Sequence, residues 1–161
     1  MSAPVFLITP PFTQLNTPYP ATAYLKGFLN TRHIPSYQAD LGIEVMLAIF
    51  SKQGLMQLFL EISHSTEKQF SENAARIITL QDDYIHSIDA VMLFLQGKNP
   101  TLAHLIAKRN FLPEASRFTQ LDDLVWAFGS MGIQDRAKHL ATMYLEAVSY
   151  THLTLPTNRE V

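Results

Sequence analysis

The stretch Val5 to Ile43 constrains this chain more than any other. Val5 to Ile8 is a short apolar run closed by Pro10-Pro11, the pattern of a buried strand with a firm stop. Ala21 to Arg32 reads as a helix, with Tyr24, Leu25, Phe28 and Leu29 on one face at the i, i+1, i+4, i+5 spacing. Pro35 ends it, because the residue before a proline is pushed out of the helical region. Tyr37 to Ile43 then reads as a second strand, with Asp40 near its carboxyl end. A helix between two strands is a crossover, and crossovers join parallel strands of one sheet. The expected fold class is therefore α/β, begun on a parallel pair.

Beyond Gly42 the pattern turns helical and stays so. Glu44 to Phe50 is one segment, and Ser51 caps a second running to about Ile62 with Leu55, Leu58, Phe59 and Ile62 inward. Glu72 to Gln96 reads as one long apolar helix stopped by Gly97, and Asn99-Pro100 as the start of the next. That helix ends before the loop Asn110 to Arg117; Leu121 to Phe128 and Ile133 to Ala147 follow, hinged at Gly129-Ser130-Met131-Gly132. A parallel pair needs further strands and cover on both faces, so the sheet reads as unfinished.

Composition narrows the function. Charged residues make up 16% of the chain against the usual quarter or so, which suggests apolar surface covered by something else. A net charge of -2 offers no electrostatic footprint for nucleic acid. The chain has no cysteine, so neither disulfides nor a thiolate metal site exist in it. No apolar run approaches the ~20 residues of a membrane span and no signal peptide precedes the first strand, so a cytoplasmic protein is expected.

The chain closes on VSYTHLTLPTNREV, Val148 to Val161. Nothing in Val148 to Thr157 continues the preceding helical periodicity, and the string resembles the translation of a transposase-adapter end used in sequencing libraries. The tail is set aside as a non-native scar. The reading frame is then expected to have been cut near Ala147, with the natural protein longer. The expected organisation is 1–43 as the start of the α/β domain, 44–147 as a helical extension, and 148–161 as tail.

With truncation allowed, the opening residues resemble the amino-terminal domain of cobalamin-binding-domain radical S-adenosylmethionine proteins. Pro10-Pro11 matches the Pro-Pro after the family's first strand, Pro18-Tyr19-Pro20-Ala21 stands at its proline-rich helix start, and Tyr24-Leu25 matches its Tyr-Leu helix. Asp40-Leu41 matches the acidic end of the second strand, and Trp126 to Ala147 looks like the helical region before the third strand in one branch. The resemblance implies an incomplete Rossmann-like, cobalamin-binding-type parallel sheet with a predominantly helical extension. It implies a parent radical enzyme, with Thr9, Pro10, Pro11, Phe12, Asn16, Tyr19 and Asp40 as candidate cofactor-binding residues. The implied partner is a missing carboxyl-terminal radical S-adenosylmethionine barrel of the same chain. There Cys-x-x-x-Cys-x-x-Cys holds a 4Fe-4S cluster that binds S-adenosylmethionine. None of those cysteines is in this chain, which is expected to be inactive alone. The Asp-x-His-x-x-Gly of base-off cobalamin sites is also absent, so cobalamin would be held without that histidine. The proline-stiffened, glycine-free loop either lines an apolar face of a large planar ring or rigidifies a connection.

The alternative is a helical interaction or metal-binding domain without enzymatic activity. Glu61-x-x-His64 and Asp83-x-x-His86 place an acid and an imidazole on one helix face, and Asp82, His86 and Asp89 extend such a stripe. A complete site needs further carboxylates from other helices, so these pairs read as solvated faces.

Overall fold

A computed structural model describes residues 3–11, 19–64, 70–115, 118 and 132–153, with the backbone alone for 150–153. It is α/β and mostly helical, with one two-stranded parallel sheet. The chain divides into two compact units, Met1–Ile49 and Phe50–Val161.

In the first unit β1 (Val5–Thr9) and β2 (Ser36–Asp40) run parallel, in a register from Val5 opposite Ser36 to Thr9 opposite Asp40. The helix between them, α1 (Pro20–Thr31), opens on proline at its first position, where no hydrogen bond is lost. It ends in a Schellman turn: the His33 N–H bonds to the Asn30 carbonyl at 3.1 Å and the Ile34 N–H to the Leu29 carbonyl at 3.0 Å. His33 holds the left-handed position at φ 53°, usually reserved for glycine.

The strand-helix-strand crossover is present as expected, but α1 packs by another face. Thr22 Oγ1 accepts from Gln38 Nε2 at 2.9 Å, and Thr22, Lys26 and Leu29 form the half-buried side. Tyr24, Leu25 and Phe28 are 78%, 51% and 56% exposed. The apolar stripe of α1 is thus turned away from the sheet. The sheet face opposite α1 is bare as well, with Phe6, Ile8 and Tyr37 exposed and the Phe6 and Tyr37 rings 6.4 Å apart.

The second strand does not continue to Ile43. It stops at Asp40, and α2 (Leu41–Ile49) follows without a loop. Asp40 Oδ1 accepts the Ile43 N–H at 3.1 Å, a helix cap that competes with any further strand.

The second unit is helical. Ser51 caps α3 (Lys52–His64) through the Gly54 N–H at 3.0 Å, and Asp89 Oδ1 accepts the Lys52 N–H at 2.8 Å. Leu55 and Phe59 are buried there and Leu58 and Ile62 half-buried, as the periodicity requires. The expected single helix from Glu72 to Gln96 is two: α4 (Glu72–Thr79) and α5 (Gln81–Leu95). Thr79 Oγ1 bonds back to the Ala75 carbonyl at 2.9 Å, while Asp82 and Asp83 occupy the first turn of α5, where the helix dipole favours acids.

A 3₁₀ turn (Pro100–Leu102) leads into α6 (Ala103–Ala107), and α7 spans Ile133–Leu153. The expected break in periodicity at Val148 does not occur. Val148 is fully buried, four residues after buried Tyr144, so it prolongs the inward face. The helix expected at Leu121 to Phe128, and the hinge from Gly129 to Met131, lie outside the described residues. The core gathers Leu55, Ile77, Tyr84, Ile88, Val91 and Ile106 with Leu140, Tyr144 and Val148.

Gly97 ends α5 at φ 75°, its N–H on the Phe94 carbonyl and the Lys98 N–H on that of Leu93. An added Cβ there meets nothing within 4 Å. Gly97→Ala is therefore expected to cost the backbone term alone, about 1–2 kcal/mol. A urea melt followed by far-ultraviolet circular dichroism measures it; an unchanged midpoint contradicts it.

Candidate functional site

The carboxyl edge of the parallel pair is where a ligand of an open α/β sheet would sit. There the register sets Thr9 directly opposite Asp40. Thr9 is buried at 3% exposure, Asp40 and Pro11 are half-buried, and Pro10 and Tyr19 are exposed. The structure thus brings Thr9, Pro10, Pro11 and Asp40 to one end of the sheet, with Tyr19 just before α1. Phe12 and Asn16 lie outside the described residues. One Asp40 oxygen already serves the Ile43 amide, so the carboxylate has a structural task at this edge. The one histidine of this unit, His33, stands in the turn before β2, at the opposite end of that strand.

The second unit has an open cleft of about 440 Å³ between the first turns of α5 and the chain after α6. Asp83, His86 and Ser87 line one side, and Arg109, Asn110 and the segment Phe111 to Pro113 the other. Arg109 is at φ 58°, with Asn110 bonding back to the Leu105 carbonyl in a second Schellman turn made without glycine. Its guanidinium grips Glu114 with two bonds, Nε to Oε1 at 2.6 Å and Nη2 to Oε2 at 2.5 Å, which ties the turn.

His86 Nδ1 lies 2.6 Å from the Asp82 carbonyl. A carbonyl only accepts, so Nδ1 carries the proton, and in the neutral ring Nε2 is the acceptor. The sequence pair Asp83 and His86 does share this cleft, whereas Asp89 caps α3 instead. Among the described residues no group of three or more His, Cys, Asp or Glu is placed to hold a metal ion. Arg109, Asn110 and Pro113 show no motif spacing; the opposite charges of Arg109 and Glu114 around a turn are the only local signal.

Beneath the cleft, Ser87 Oγ lies 2.7 Å from the Asp83 carbonyl and 3.0 Å from the Tyr144 hydroxyl, and its single proton serves one of the two at a time. Tyr144 donates in turn to the Tyr84 carbonyl at 3.2 Å, and the two tyrosine rings stack at 4.7 Å. Ser87 is buried and engaged in this network, so it is not presented as a nucleophile. The Tyr84 hydroxyl is buried without a hydrogen-bond partner among the described residues.

Burial pushes both phenols well above their usual value near 10. The Arg76 guanidinium partly offsets this for Tyr84, and the Ser87 hydrogen bond for Tyr144, where the neighbouring Tyr84 and Asp89 add to the rise.

Compared with family models, curated proteins and solved structures, the chain matches none. Among the described residues no single helix is long and apolar enough to cross a membrane.

Two substitutions separate the tyrosines. Tyr144→Phe deletes two hydrogen bonds and is expected to cost about 1–2 kcal/mol, whereas Tyr84→Phe removes an unpaired hydroxyl and is expected to be neutral or stabilising. Denaturant melts of both variants decide; equal losses contradict the network. The raised phenols also set a pH dependence. Below pH 10 folded and unfolded chains are equally protonated at these groups. Above it the unfolded chain releases phenolic protons that the fold retains, so stability falls as pH rises. Melting points from pH 8 to 11 (roughly the span over which a free phenol titrates) are expected to drop less steeply in Tyr84→Phe.

Proposed function

We propose that the chain is the amino-terminal portion of a radical S-adenosylmethionine protein of the cobalamin-binding-domain type, its sheet an incomplete Rossmann-like one. The observation that carries this is the parallel crossover that sets Thr9 opposite Asp40 at the carboxyl ends of β1 and β2. In open α/β sheets that edge is the ligand side. The Pro10-Pro11 stop and the proline-initiated α1 are the sequence features it shares with the family.

The 4Fe-4S cluster does not fit this chain, which has no cysteine to ligate it. The cluster and S-adenosylmethionine belong to the partner barrel, and no catalytic step is assigned to residues here. A corrinoid fits only as a guest held by hydrogen bonds and apolar contact, since His33 is at the wrong end of β2 to reach it. When bound, a corrinoid supplies alkyl-transfer or radical chemistry at its metal. This chain's part is to bind and orient: Thr9 and Asp40 at the sheet edge, with Pro10, Pro11 and Tyr19 as stiff neighbours. The proposed parent is a cytoplasmic enzyme.

Hydroxocobalamin titration of the protein carrying the whole domain is expected to shift the corrinoid absorbance to saturation. An unshifted spectrum makes the domain a scaffold without cofactor. The gene of an intact copy, sequenced past the Ala147 codon, is expected to encode a third strand and then Cys-x-x-x-Cys-x-x-Cys. An early stop codon there removes the enzyme and leaves an interaction domain, which the separate core of the helical unit favours.

A further inference from the structure

The cleft at His86 is walled by side chains that together ask for one kind of ligand. Its volume of about 440 Å³ falls within the range of small-molecule sites. Asp83 and His86 are three residues apart on α5 and so share one face. The bond from Nδ1 to the Asp82 carbonyl fixes the His86 ring and leaves Nε2 as an acceptor. The Asp83 carboxylate has no ion pair or hydrogen bond among the described residues. This wall thus carries a negative charge beside a lone pair, and neither group holds the fold together.

The opposite wall is held in shape. Arg109 keeps its left-handed backbone at φ 58°, which a residue other than glycine does only where its surroundings enforce it. Such outliers gather at ligand clamps. The bonds to Glu114 lock the turn and also match the guanidinium with a carboxylate, so Asp83 sets the sign of the cleft. Phe111 and Pro113 are half-buried and give this wall an apolar surface, to which Asn110 adds an amide. Below, Ser87 is buried and bonded to Tyr144, so the floor is preorganised.

We propose that this cleft binds a primary ammonium group carried on an apolar body. An ammonium has donors and no acceptor, so it satisfies Asp83 and His86 Nε2 together. The bond to Asp83 is charge-assisted, and the apolar body covers the surface that Phe111 and Pro113 leave open. An anion is disfavoured, because it meets the Asp83 carboxylate and the Nε2 lone pair while Arg109 is engaged by Glu114. A metal ion finds two ligands on α5 and, among the described residues, no third His, Cys, Asp or Glu to complete its shell. This binding is independent of the corrinoid reading, since it uses the helical unit alone.

Amide chemical shifts of the unmodified, isotope-labelled chain, followed as 2-phenylethylamine is added, test the proposal. They are expected to saturate at residues 83–87 and 109–112, with a dissociation constant on the order of 1 mM or tighter, as suits a small ligand in an open cleft. No saturating shift up to about 10 mM, or saturation at other residues, overturns it. Phenylacetate, with a similar body and the opposite charge, is expected not to saturate; binding equal to that of the amine overturns the ammonium assignment. Asp83→Asn is expected to weaken the amine about tenfold, the worth of one charge-assisted hydrogen bond, with the helical dichroism unchanged. Glu61→Gln removes an exposed acid on α3, outside the cleft, and is expected to leave binding intact. Undiminished binding in Asp83→Asn, or an equal loss in Glu61→Gln, overturns the site.

Discussion

Parallel pairing of β1 with β2 is the constraint from which the first unit follows. Two parallel strands cannot be joined by a tight turn, so a helix must carry the chain back across one face. That requirement produces α1 and places Thr9 and Asp40 at the same edge. It also leaves a debt, because a parallel pair is stable only when both faces and both edges are covered. Here α1 covers one face with Thr22, Lys26 and Leu29 and turns Tyr24, Leu25 and Phe28 outward. Apolar side chains thus remain exposed on both sides of the unit, Tyr24, Leu25 and Phe28 on the helix and Phe6, Ile8 and Tyr37 on the other sheet face.

The second unit obeys a different rule. Its core closes on itself, with Tyr84 and Tyr144 stacked between α5 and α7 and the Ser87 hydroxyl bridging into the contact. Large rings supply much buried area, and the hydrogen bonds fix their rotation. The Tyr84 hydroxyl, buried without a partner among the described residues, is a polar group that this core tolerates. Two left-handed turns of this unit are of unlike strength, and only the second, at Arg109, borders the cleft at His86. Gly97 ends its helix without strain, while Arg109 takes the left-handed position against its preference and is anchored by Glu114.

Much of the fold was legible in local pattern. The strand at Val5 to Ile8, the helix from about Ala21, the cap at Ser51 and the stop at Gly97 each rest on residues within a few positions and form where periodicity and capping put them, although the strand, expected to be buried, leaves Phe6 and Ile8 exposed. The misplaced boundaries have local causes of the same kind. Asp40 reads as part of a strand but ends one, because its side chain captures the Ile43 amide. Thr79 and the acids after it split a helix whose apolar content looked continuous. At the candidate sheet-edge site, residue identities were visible, yet the pairing of Thr9 with Asp40 spans the whole crossover and depends on register.

The sequence by itself determined the strand-helix-strand order, the helical remainder and the absence of thiolate chemistry, because these depend on residue type and short-range spacing. Tertiary structure alone decided which side of α1 meets the sheet, that Arg109 and Asn110 share a cleft with His86, and that Val148 completes the inward face of α7. Those outcomes follow from competition among packing partners far apart in the chain. An apolar stripe says that a surface will be covered, but only the three-dimensional arrangement says which one already is.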